Sequence, residues 1–162
     1  MKIFGKSLSE YFAFQWSIMM LIIVIGFARL LLSLAGVPDS VVKWLSLTAF
    51  AVVGIVYCAV QVPRTRFGGY KHLLPLYFMQ AATGNLIIAS GIAISAISGK
   101  ENIFSRPEYS GVLASNQWLH AAGHLADGII VGPLLGWVIG SLIMFVVLKF
   151  VRHKPAAVTA AG

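Results

Sequence analysis

Residues 73–99 read LLPLYFMQAATGNLIIASGIAISAISG and contain no Asp, Glu, Lys or Arg. A membrane helix needs about 20 predominantly apolar residues to cross a hydrocarbon core of about 30 Å, so this run is long enough to span a bilayer. Three more runs share its character, and across the 162 residues only 10% are charged while 59% are hydrophobic. The sequence therefore predicts an integral membrane protein, which excludes most classes of soluble enzyme.

The four apolar runs predict four transmembrane helices in one all-α domain that covers residues 1–154. The predicted spans are, approximately, residues 11–34, 44–62, 73–98 and 129–151. The first two connections are too short to hold an independent fold, so we expect a four-helix bundle. A tail of small residues at 155–162 is expected to be flexible.

The longest connection is the outer loop between the third and fourth spans, residues 99–128. It opens with polar, turn-forming residues and becomes compatible with a helix after Ser115 or Asn116, either of which is a good N-cap. Gly128 and Pro133 interrupt the pattern further along. The sequence predicts a short helix on the outer surface, separated from the fourth span by a break between Gly128 and Pro133.

Basic residues dominate the few charges, with twelve Lys and Arg against five Asp and Glu and a net charge of +7. They cluster before the first span, between the second and third spans, and after the fourth. Because cytoplasmic loops of membrane proteins carry an excess of Lys and Arg, we expect both termini in the cytoplasm, in a bacterial inner membrane. Topology accounts for these charges, so we expect no nucleic-acid partner.

Small residues recur on two of the predicted helices. Gly132, Gly136 and Gly140 repeat every four residues on the fourth span, and Gly84 and Gly91 lie among alanines and serines on the third. Small residues at this spacing let helices approach closely, and van der Waals contact drives helix association in lipid. We expect these glycines at helix contacts, either within the chain or in a homo-oligomer or with other membrane subunits.

One local pattern carries ligand chemistry, because positions i, i+4 and i+7 of a helix share a face and His120, His124 and Asp127 have this spacing. Two imidazoles and a carboxylate are suitable ligands for a divalent transition metal. Two histidines on adjacent turns cannot supply both axial ligands of one haem, but one of them could hold a haem or chlorophyll alone. Alternatively, these residues form the polar face of an interfacial helix. The sequence therefore leaves the presence and the identity of a cofactor open.

Arg29 lies near the outer end of the first span, where it could reach the headgroups or pair with Asp39 or Asp127. Further basic residues occupy the loop after the second span, and each contributes about 1 kcal/mol of attraction near an anionic lipid surface. We predict contacts with lipid or another anion at four residues: Arg29, Arg64, Arg66 and Lys71.

These observations leave three functions open. The packing pattern extends along two spans and favours a non-catalytic packing or accessory component of a membrane assembly. The second function is metal or pigment binding at the outer His and Asp face. The third is a small transporter or channel with Gln80, Asn85 and Arg29 along its path. No catalytic residue is predicted, and a role other than catalysis is preferred.

Overall fold

The computed structural model describes residues 2–106 and 116–152. Two short antiparallel strands come first, β1 (Lys2–Ile3) and β2 (Lys6–Ser7). The helices that follow are α1 (Leu8–Phe14), α2 (Trp16–Leu34), α3 (Asp39–Val42), α4 (Leu47–Arg64), α5 (Tyr70–Ser98) and α6 (Gln117–Arg152). Part of the predicted outer loop, residues 107–115, and the predicted tail at 155–162 lie outside the described residues.

Four helices, α2, α4, α5 and α6, are long and apolar enough to cross a membrane. The prediction of an all-α protein with four such helices is therefore confirmed. The most extensive packing is between α5 and α6, and α4 and α2 complete the bundle around them.

The fourth span differs from the prediction, because Gln117–Arg152 is one continuous helix. The predicted separate outer helix and its break between Gly128 and Pro133 are therefore wrong. Proline removes one backbone donor and crowds the preceding turn, but in a membrane a full break would leave more polar backbone without water, so the helix continues through Pro133. The expected N-cap is present: Asn116 Oδ1 accepts a hydrogen bond from the Leu119 N–H at 3.1 Å.

The length of α6 follows from its 36 residues. At 1.5 Å per residue the helix is about 54 Å long, well beyond the roughly 30 Å of the hydrocarbon core. Either α6 is tilted in the bilayer or part of it projects into the interface.

The first span is divided where the sequence predicts one helix over residues 11–34. α1 ends at Phe14, α2 begins at Trp16, and Gln15 between them is fully buried. A capping box starts α1: the Ser7 hydroxyl accepts from the Glu10 N–H at 3.2 Å, and the Glu10 carboxylate accepts from the Ser7 N–H at 2.8 Å. The short α1 is thus an independently capped helix.

One end of the bundle, which we call the hairpin end, holds β1, β2 and the start of α5. His72 Nδ1 accepts from the Gly69 N–H at 3.0 Å, and its Nε2 donates to the Phe4 carbonyl at 3.2 Å. The Tyr11 hydroxyl donates to the Ile3 carbonyl at 3.0 Å. These bonds attach the first residues of the chain to α1 and α5.

The opposite end, which we call the loop end, holds the residues that follow α5. Asn102 is fully buried there, with Nδ2 donating to the Gly91 carbonyl at 2.7 Å and Oδ1 accepting from the Phe104 N–H at 3.0 Å. The Arg106 guanidinium pairs with the Asp39 carboxylate. The loop is thereby bonded to α5 and to the start of α3.

Buried apolar side chains form two clusters, one towards each end. The loop-end cluster includes Ile22, Leu47 and Phe104. The hairpin-end cluster includes Tyr77 and Met144. The candidate site lies where these clusters meet.

Candidate functional site

A cavity of about 310 Å³ lies between the four membrane helices. Ile22 and Leu47 of the loop-end cluster and Tyr77 of the hairpin-end cluster contribute to its wall. Its volume is at the lower end of the range for small-molecule sites, which are mostly apolar with a few placed polar groups. The polar side chains, apart from the Tyr77 hydroxyl, are Thr48, Gln80, Asn85 and His124.

The glycines that line the cavity on α6, beside His124 and Pro133, leave room for it. A Cβ added at Gly132 would have nothing within 4 Å. A Cβ added at Gly128 would lie 2.6 Å from Asn85 Nδ2, and one at Gly140 would lie 2.8 Å from the Tyr77 ring. α6 therefore touches α5 at Gly128 and Gly140 and leaves a gap at Gly132.

Asn85 of α5 and His124 of α6 form a polar pair in this apolar wall. His124 Nδ1 and Asn85 Oδ1 are 3.1 Å apart, and Asn85 Nδ2 donates to the Ala81 carbonyl at 2.9 Å. Both side chains are partly buried and both line the cavity. The pair gives the cavity a fixed hydrogen-bonding group.

Towards the hairpin end, α4, α5 and Gln15, which lies between α1 and α2, form a buried polar cluster. Gln80 Nε2 donates to Gln15 Oε1 at 2.8 Å and to Cys58 Sγ at 3.3 Å. Gln15 Nε2 donates to the Leu76 carbonyl at 3.3 Å. The Gln80 amide packs against Gly54, where an added Cβ would lie 2.9 Å from Gln80 Cδ. Interhelical hydrogen bonds of this kind satisfy polar groups that water does not reach.

The predicted metal-binding face is only partly assembled. The rings of His120 and His124 have centroids 5.0 Å apart, and His120 is buried. Asp127 is exposed. Within residues 2–106 and 116–152, no group of three or more His, Cys, Asp or Glu side chains is placed to hold a metal ion. The structure brings the two histidines together without adding a third ligand, and the metal, haem and chlorophyll hypotheses stay predictions.

The predicted lipid or anion contacts lie at opposite ends of the bundle. Arg29 is at the loop end, with its guanidinium carbon 5.2 Å from the centroid of the Phe104 ring. Asp39, one of its two expected partners, is paired with Arg106. The other three are exposed at the hairpin end: Arg64, Arg66 and Lys71. The four residues do not form one site, and Arg29 does not line the cavity that contains Gln80 and Asn85.

The predicted packing glycines have different surroundings. At Gly91 an added Cβ would lie 2.6 Å from Phe104, and at Gly136 it would lie 3.3 Å from Ile55. Gly84 is looser, with its nearest such neighbour at 3.8 Å. An added Cβ would thus meet side chains of the same chain at Gly91, Gly136 and Gly140, whereas Gly132 has open space in front of it.

Sequence reasoning did not find four residues of this region: Gln15, Thr48, Tyr77 and Gly128. Gly128 extends the four-residue glycine period one step towards the N terminus, so the sequence pattern could have predicted its place at a helix contact. Thr48 and Tyr77 lie in apolar runs, and no neighbouring residue indicates a role for them. The role of Gln15 depends on its hydrogen bond with Gln80, which is 65 residues away in the sequence.

Comparison of the chain with protein-family models, curated proteins and solved structures finds no match.

Proposed function

We propose that this membrane protein binds an apolar small molecule in the cavity between its helices. The observation that carries the proposal is the open space in front of Gly132, within a wall that joins apolar side chains to the Asn85–His124 pair. Binding sites for small molecules combine these two features.

Energetics support an occupant of this kind. The atoms that line an empty space lack partners on one side and lose their dispersion contacts. A molecule that fills the cavity would recover these contacts and stabilise the folded protein by mass action.

A filling substitution tests the proposal. The detergent-solubilised protein is titrated with 4-tert-butylphenol while its melting temperature is followed by circular dichroism. We expect a saturable rise, because the ligand binds the folded state only. Gly132→Leu should fill the cavity and abolish the rise, whereas Ala126→Leu adds bulk at an exposed position of the same helix and should retain it.

Absence of a saturable rise in the wild type would refute the proposal. An equal rise in Gly132→Leu would refute it as well, because the probe would then act elsewhere or through the detergent. Mass spectrometry of an organic extract of the purified protein identifies the natural occupant.

An accessory role in a membrane assembly is a second proposal. Large apolar side chains stay exposed along α6, among them Ile130, Leu134 and Leu142. A partner subunit or a second copy of the chain would cover them as lipid does. The native mass of the protein in nanodiscs tests this role, and a strictly monomeric protein without a co-purifying chain would contradict it.

We also propose that both termini face the cytoplasm of a bacterial inner membrane. Two basic segments lie together at the hairpin end: Lys71 Nζ is 5.5 Å from the Phe4 ring centroid, and Lys6 Nζ is 4.8 Å from that of Phe67. Such an excess of positive charge is typical of the cytoplasmic side. Reporter domains fused after residue 152 and after residue 100 should report opposite sides, and the same side for both would contradict the topology.

A further inference from the structure

The orientation of the Asn85 amide is set by its surroundings. One terminal atom lies 2.9 Å from the Ala81 carbonyl. A carbonyl oxygen only accepts, so this atom must be the amide nitrogen. The atom that faces His124 is therefore Oδ1.

The same logic fixes the tautomer of His124. Asn85 Oδ1 can only accept a hydrogen bond, so His124 Nδ1, 3.1 Å away, carries the hydrogen. A neutral imidazole has one N–H group, which leaves Nε2 as an acceptor. Among the described residues that line the cavity none is acidic, so no carboxylate there would pair with an imidazolium.

Two donor groups of the wall, Gln80 Nε2 and the Tyr77 hydroxyl, are already engaged. Both hydrogens of Gln80 Nε2 are directed to Gln15 and Cys58. The Tyr77 hydroxyl donates to the Ile55 carbonyl at 2.9 Å. In the described part of the chain no hydrogen bond is formed by His124 Nε2. His124 is partly buried and lines the cavity, so this acceptor is available to an occupant that supplies a donor.

We propose that the cavity selects apolar molecules that carry a hydroxyl group, such as phenols, and that this hydroxyl donates a hydrogen bond to His124 Nε2. The inference rests on the proposed binding function and adds the chemical class of the ligand. A site with a placed acceptor discriminates against analogues without the donor. An ether of the same shape keeps the apolar contacts and loses this bond.

The experiment compares 4-tert-butylphenol with its methyl ether, 4-tert-butylanisole, on the detergent-solubilised full chain. Dissociation constants come from the saturable melting-temperature shift, with the Gly132→Leu protein as the baseline for partition into detergent. We expect the phenol to bind about tenfold more tightly, the value of one hydrogen bond of about 1.4 kcal/mol. In His124→Phe, which keeps a ring without an acceptor, we expect this preference to disappear while the ether still binds.

The outcomes separate the two proposals. If phenol and ether bind the wild type equally, or the ether binds more tightly, the hydroxyl inference is overturned and the binding function stands. If neither probe binds, the binding function itself is refuted. A preference that persists in His124→Phe overturns the assignment to His124. The wild-type comparison does not use His124→Phe, so it tests the preference for a hydroxyl even if that variant does not fold.

Discussion

Replacing Gly140 with alanine should destabilise the protein much more than the same change at Gly132. A Cβ at Gly140 would lie 2.8 Å from the Tyr77 ring carbons Cε2 and Cζ and closer still to the hydroxyl. Ordinary contact begins at 3.4 Å, so the ring must move by at least 0.6 Å, the difference between 3.4 and 2.8. Tyr77 is only 2% exposed, and its hydroxyl donates to the Ile55 carbonyl.

The magnitude follows from three contributions. Overpacking costs about 2 kcal/mol, and a buried hydroxyl that loses its acceptor costs about 2 kcal/mol. Alanine recovers about 1 kcal/mol of helix propensity relative to glycine. We therefore expect Gly140→Ala to lower the free energy of unfolding by about 3 kcal/mol. Gly132→Ala meets open space and should raise it by up to about 1 kcal/mol.

The assay is reversible unfolding in mixed micelles of increasing SDS fraction, followed by far-ultraviolet circular dichroism. Gly140→Ala is also measured in the Tyr77→Phe protein, which lacks the hydroxyl and its hydrogen bond. There the cost of Gly140→Ala should fall to about 1 kcal/mol, because the hydrogen-bond contribution is absent. Equal losses at Gly140 and Gly132 would refute the assignment of one glycine to a helix contact and the other to the cavity.

Three further outcomes are expected. Gly54→Ala should cost about 2 kcal/mol in the same assay, because its Cβ would displace the Gln80 amide. Asn102→Ala should speed proteolysis after α5, since Asn102 bonds this segment to Gly91 and Phe104; an unchanged cleavage rate would contradict this. Hydrogen bonds from Ser7 hold the pKa of Glu10 below its ordinary value of 4.5. The resulting stability is present above that value and is lost as the pH falls through the lowered pKa. Glu10→Gln should therefore remove this acid-dependent loss in melting curves recorded between pH 6 and pH 3.

The membrane helices are predictable because lipid imposes a simple requirement on composition. Each long uncharged run becomes a helix, since only a helix satisfies the backbone of a single segment in hydrocarbon. The same requirement explains the error at Pro133, where rules learned from soluble helices predict a break. At Gln15 the sequence carries no breaking residue, and the division between α1 and α2 depends on partners in α4 and α5.

The candidate site was less predictable because it depends on helix register. His124 and Asn85 are 39 positions apart, and their bond requires the pairing of α5 with α6 to be known. The local spacing of His120, His124 and Asp127 groups the two histidines, whose rings are close together. It gives no information on which of the three side chains is covered by a neighbouring helix. A glycine pattern likewise indicates close approach without distinguishing contact at Gly140 from space at Gly132.

The attachment of the first residues to His72 has a consequence for biosynthesis. The Phe4 carbonyl and His72 are 68 positions apart. At about 5 to 20 residues per second, a ribosome needs roughly 3 to 14 seconds to make the chain between them. During that interval two apolar helices are already available for insertion, and the segment before them can bond to Tyr11 of α1 but not to His72 of α5. Its docking is therefore a late event, completed only after α5 has emerged and been inserted.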